Sequence, residues 1–66
     1  MLSQSEVIAK GRGIQKVETL VEKFGGTAKG WVKKKGWDST GSEWHWYEHN
    51  GIGRVGVKPA GSPDPF

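Results

Sequence analysis

Between residues 30 and 58 neighbouring side chains alternate in character, and this alternation most limits what the chain can fold into. A period of two places successive side chains on opposite faces of a strand. "GWVKKKGW" at 30–37, "EWHWYEH" at 43–49 and "IGRVGVK" at 52–58 therefore read as three strands. "DSTGS" at 38–42 reads as a turn. "NG" at 50–51 reads as a two-residue hairpin loop, which needs positive φ at both positions. Three strands joined by short turns make an antiparallel sheet.

Ahead of that segment the period is helical. Ile14, Val17, Leu20, Val21 and Phe24 form one apolar stripe, predicting a helix over 13–25 that Gly25 and Gly26 stop. Residues 1–12 read as a flexible segment or a short helix, capped by Ser3 or Ser5 and ended by Gly11. "PAGSPDPF" at 59–66 reads as an extended tail, because each Pro lacks a ladder donor. The expected fold is a single small α+β domain over 1–66, with an N-terminal helix or helices packed on one face of a three-stranded antiparallel sheet. With 66 residues and no Cys, such a domain has a thin core and no disulfide staple. Four Trp, two Phe and one Tyr must supply much of its buried area. No apolar run approaches the roughly 18 residues of a membrane span. No signal-peptide apolar region heads the chain, so no membrane partner is expected.

A two-residue turn at Asn50 and Gly51 sets the register of the second hairpin. His49 then opposes Ile52, Tyr47 opposes Arg54, Trp46 opposes Val55, Trp44 opposes Val57 and Glu43 opposes Lys58. One face carries Trp44, Trp46, Val55 and Val57, an apolar surface for the helix to cover. The other carries Glu43, His45, Tyr47, His49, Arg54 and Lys58. Pairing the first strand with Trp37 opposite Glu43 places Lys35 beside His45 and Lys33 beside Tyr47. Trp31 and Trp37 join the same polar face, and Gly36 is a candidate bulge.

Such a face suits RNA backbone cleavage without a metal. A base takes the 2′-hydroxyl proton, that oxygen attacks phosphorus, an acid protonates the departing 5′-oxygen, and cations stabilise the phosphoryl charge. Histidine serves either proton role near neutral pH. His45 and His49 would stand about 13 Å apart along a strand, too far to share one phosphate. His45, mid-strand and beside Lys35, is the central candidate. Its partner is Glu43, Tyr47 or a group from outside the strand. Arg54, Lys33 and Lys35 would bind and stabilise phosphate. Lys58, Trp31, Trp37 and a peripheral His49 complete an RNA-binding rim, where Trp can stack a base.

Plainer readings stand beside these. The run of Lys33, Lys34 and Lys35 also serves as a solvated edge that discourages aggregation. Glu43 also suits a cross-hairpin pair with Lys58, and Arg54 a cation–π pair with Tyr47. His45 and His49 have the spacing of a zinc-binding helix, but the alternation makes this stretch a strand. There is no Cys and no third His, so no metal or cofactor is expected. "GRG" at 11–13 matches neither a phosphate-loop nor a dinucleotide fingerprint. The alternative function is a non-catalytic module that binds nucleic acid or protein through the same basic aromatic face. A DNase would need a metal and acidic ligands that this face largely lacks.

The segment "GTAKGWVKKKGWDSTGSEWHWYEHNGIGRVGVKPAGSPDPF", with the helix before it, resembles the C-terminal toxin domains of bacterial polymorphic toxins of the Rhs and contact-dependent inhibition types. The likeness spans roughly residues 14–66, and "EWHWYEHNGIGRVG" is its most distinctive part. It implies a toxin-type RNA endonuclease acting on tRNA or another structured RNA in a target-cell cytoplasm. It also implies a larger carrier upstream in the native chain, secreted or displayed at the cell surface, and a cognate immunity protein. Many small domains of this kind belong to the barnase–EndoU–colicin–RelE ribonuclease superfamily. There, N-terminal helices pack on one face of an antiparallel sheet and the active site lies on the other. The match to that superfamily is by face and residue type, at His45, Lys33, Lys35, Tyr47 and Arg54.

Overall fold

The computed structural model describes residues 4–63. Strands β1 (Gln4–Lys10), β2 (Trp31–Trp37), β3 (Glu43–His49) and β4 (Gly53–Pro59) form one antiparallel sheet in the order β1-β2-β3-β4. One short helix, α1 (Val17–Phe24), lies between β1 and β2, flanked by 3₁₀ turns at Gly11–Gly13 and Ala28–Gly30. The fold is therefore a four-stranded sheet with one short helix, not helices on three strands.

β1 stands where a flexible segment or short helix was expected. Its cause is the outer edge of β2, which would otherwise present a row of unpaired N–H and C=O groups. "SEVIAK" supplies adjacent β-branched residues, Val7 and Ile8, that fit such an edge. Residues 1–3, Ser3 among them, lie outside the described residues, as do 64–66 of the expected tail. At the other end, residues 59–62 turn back instead of extending, with Ser62 N–H donating to the Pro59 carbonyl at 3.2 Å.

α1 starts at Val17, later than the stripe suggested. Ile14 precedes it in extended backbone and is still buried. Ile14, Val17, Leu20, Trp31 and Tyr47 form the core, with Ala9, Val21, Ala28 and Val55 against it. α1 thus covers the Tyr47 face rather than the expected Trp44/Trp46 face. Trp31 and the Tyr47 row adjoin on that side, since Trp31 pairs with His49 and Lys33 with Tyr47. The Trp31 indole also donates to the Gly25 carbonyl at 3.0 Å, tying β2 to the end of α1.

Trp46 is buried on the opposite face without any helix. Its indole N–H donates to Glu48 Oε1 at 3.1 Å, and the Arg54 guanidinium lies 5.0 Å from its ring. Lys34 and Arg54 pair with Glu48 at 3.1 and 3.4 Å, which closes a polar cover over the ring. Burial opposes the charge of Glu48, but the Trp46 indole, Lys34 and Arg54 outweigh it and hold the carboxyl below its ordinary value.

The β2–β3 register runs as the alternation implies, with Lys33, Lys35 and Trp37 opposite Tyr47, His45 and Glu43; Gly36 makes no bulge. The second hairpin differs. Ile52 N–H donates to the His49 carbonyl at 3.0 Å, Gly53 takes φ 101°, and His49 pairs with Gly53. The loop therefore has three residues followed by a positive-φ glycine. A one-residue slip turns side chains to the other face. Arg54 now opposes Glu48, and Val55 opposes Tyr47. The register shifts again between Tyr47 and His45, where Gly56 (φ 63°) and Val57 face Trp46 alone. That bulge brings Lys58 opposite His45 instead of Glu43.

Candidate active site on the half of the sheet beyond the core

The helix-side face is built from cross-strand rows. Trp31 and His49 form one row, and Ala9, Lys33, Tyr47 and Val55 the next. Glu6, Lys35, His45 and Lys58 follow, and Trp37 with Glu43 comes last. Rows on one face are about 6.6–6.8 Å apart along a strand. The apolar cluster ends at Tyr47. His45 and Glu43 lie outside it, with side chains 19% and 37% exposed, open enough for a substrate atom to reach them.

His45 Nε2 lies 2.7 Å from Glu43 Oε2. The two are i and i+2 on β3, so the pleat alone points them the same way. With the carboxylate as acceptor, Nε2–H donates, and that tautomer leaves Nδ1 as the ring's acceptor. Lys35 and Lys58 flank His45 on the neighbouring strands. Lys35 Nζ is 3.8 Å from Glu6 and 5.6 Å from the Trp37 ring centre. Lys58 Nζ donates to the Ser62 carbonyl, which anchors it beside the row. Lys33 lies one row inward, 5.7 Å from the Tyr47 ring centre.

The remaining candidates fall elsewhere. Trp31 and Tyr47 are buried in the core, so neither presents a face to RNA. His49 packs edge-on against Trp31 with ring centres 5.3 Å apart, and its Nδ1 accepts from Gly51 N–H at 3.1 Å. A side chain at Gly26 or Gly30 would strike its ring, so His49 is a wedge between loop and sheet. Arg54 lies on the opposite face, turned there by the Gly53 slip. The structure thus gathers His45, Glu43, Lys35, Lys58 and Trp37, sets Lys33 and the buried Tyr47 one row inward, and separates Arg54, Trp31 and His49 from them.

Strand alternation over 30–58 does not point to two further participants. Glu6 reaches Lys35 only because β1 is a strand; the adjacent pair Val7 and Ile8 was the available signal. Asp38 organises the β2–β3 loop beside the site. Its carboxylate accepts from the Thr40 hydroxyl (2.6 Å), the Trp44 indole (2.9 Å) and the Ser42 and Thr40 amides (3.0 and 2.9 Å). These bonds, that of the Thr40 hydroxyl first, hold its carboxyl far below the ordinary 3.8. Aspartate followed by Ser, Thr and Gly is a recognisable signal for such a loop. Among the described residues, no three His, Asp or Glu side chains converge as a metal donor set.

The chain matches no protein-family model, no curated protein and no solved structure.

Proposed function

We propose that this chain is a toxin-type RNA endonuclease in which His45 is the general base and the 2′-hydroxyl of RNA the nucleophile. One observation carries the reading: a carboxylate–imidazole pair 2.7 Å apart lies on a sheet face beyond the core, with a lysine on each neighbouring strand beside the imidazole. Glu43 holds the Nε2 proton, so Nδ1 is the atom that takes the 2′-hydroxyl proton. The 2′-oxygen bonds to phosphorus and the P–O5′ bond breaks. The 5′-oxygen leaves with a proton from the Lys35 ammonium. Lys58 adds positive charge where the phosphoryl group gains negative charge. Trp37 offers its ring to a neighbouring base. The attacking oxygen belongs to the substrate and the base to the chain, so the scheme is metal-independent.

The polymorphic-toxin likeness over roughly residues 14–66 suggests the rest of the proposal, although the superfamily layout it implied, with the active site on the face away from the helix, is not found: α1 and His45 share a face. It adds tRNA or another structured RNA as substrate, a larger carrier for delivery and an immunity protein as inhibitor. The test is incubation of the purified chain with total bacterial RNA in EDTA, beside His45→Ala, on a denaturing gel. Discrete fragments from the parent alone are expected. Intact RNA with both folded proteins would overturn the reading, and cleavage that EDTA abolishes would overturn its metal-independence.

A further inference from the structure

The 3₁₀ turns at Gly11–Gly13 and Ala28–Gly30 meet at the end of the sheet away from Glu43. Between them is an open cleft of about 580 Å³ lined by Lys10, Gly11, Arg12, Thr27, Ala28 and Lys29. Three of these six residues are cations and none is acidic. Lys10, Arg12 and Lys29 are all exposed, and among the described residues none forms an ion pair. Three like charges around one cleft repel each other, and an anion in the cleft relieves that repulsion. Arg12 also lines a neighbouring cleft with Glu18 and Glu22 of α1, but its ammonium-bearing neighbours Lys10 and Lys29 do not.

A second cleft adjoins the first along the chain, toward the His45 row. Gly13, next to Arg12, helps line this cleft of about 300 Å³, which holds Lys16 and Lys33 beside Tyr47. Tyr47 is two residues from His45 on the same face of β3. Cations therefore continue from the basic cleft, through Lys16 and Lys33, to Lys35 and Lys58. Lys10 pairs with Val32 and so leaves β1 toward the face opposite Lys35, but its place at the strand end, three residues along β2 from Lys35, sets the separation along the sheet at about 10 Å. A stacked nucleic-acid strand advances about 3.4 Å per nucleotide, so about three nucleotides cover that distance.

We infer that the cleft of Lys10, Arg12 and Lys29 is a phosphate-binding subsite that holds the RNA backbone about three nucleotides from the scissile bond. The inference rests on the nuclease reading for the identity of the strand, but anion binding in the cleft does not depend on catalysis. It makes the substrate a strand of several nucleotides, with a dinucleotide reaching only the His45 row.

The test uses the full chain and two probes. The first is binding of a 2′-deoxy oligonucleotide, which lacks the attacking hydroxyl, followed by fluorescence anisotropy across a salt series. Each lost single-strand phosphate contact lowers the slope of log affinity against log salt by about 0.7. Replacing Lys10, Arg12 and Lys29 together with Gln should lower it by about 2, and Arg12→Gln alone by about 0.7. The three contacts correspond to roughly a 15- to 20-fold affinity loss in the parent between ~50 and ~200 mM salt. The second probe is turnover: the triple variant should cleave a dinucleotide like the parent and a longer RNA with a raised KM. A parental slope in the folded triple variant would overturn the subsite. A lowered slope in a chain that cleaves nothing would uphold the cleft and remove the nuclease reading. Loss of binding to phosphatidylserine vesicles with an unchanged oligonucleotide slope would assign the cleft to a membrane surface and overturn the proposal.

Discussion

Glu43 and His45 depend on each other in a way that separate substitutions expose. His45→Ala removes the base and should lower kcat by about 10²–10⁴ with little change in thermal midpoint, since His45 lies outside the apolar cluster. Glu43→Gln keeps the shape but offers an uncharged partner to Nε2, so it should lose less rate than His45→Ala. Steady-state cleavage of one RNA oligonucleotide by the two variants checks both outcomes. These residues were legible because the pleat fixes their common face and the Asp38 loop fixes the β2–β3 register. Tyr47 was legible as a neighbour but not as core. Alternation assigns a face, while the choice of which face the helix covers belongs to Trp31 and the packing around it.

β4 owes its placement to two glycines with positive φ, Gly53 and Gly56. A side chain at such a φ costs roughly 1–2 kcal/mol. Gly56→Val should cost at least that much in a denaturation titration, and it should also reduce cleavage, because the bulge sets Lys58 opposite His45. A variant that loses stability but keeps full activity would show that Lys58 is dispensable. In sequence, "NGIG" offers Gly51 and Gly53 as rival positive-φ positions two residues apart, and the choice between them inverts the face of Arg54. Nothing local breaks that tie. The β2–β3 loop carries its own prediction. The carboxyls of Asp38 and Glu48 are held below their ordinary 3.8 and 4.5 in the folded state. The folded chain therefore binds fewer protons than the unfolded chain in that acidic range. This stabilisation is present above about pH 4.5 and is lost as pH falls through the depressed folded values. Thermal midpoints measured across pH should fall on the acid side, and Asp38→Asn should flatten part of that limb.

The whole molecule rests on a small core, which explains where it is fragile. Trp31 is fully buried, bridges β2 to the end of α1, and packs at the centre of the cluster. Trp31→Ala should cost about 3–5 kcal/mol, a large share of what so short a chain holds. Circular dichroism on heating should then show a broad, early transition where the parent shows a cooperative one. The three later strands were legible in the alternation, but β1 was not. Its seven residues carry no strict period, and their strand state is decided by the edge of β2 rather than by themselves. The row order along the sheet has a consequence for descent. The Trp31 and Tyr47 rows keep the molecule folded, while Glu6, Lys35, His45 and Lys58 contribute one residue from each strand to a row outside the apolar cluster. Four positions can thus be exchanged without disturbing the scaffold, so related chains could keep this architecture while trading one chemistry for another.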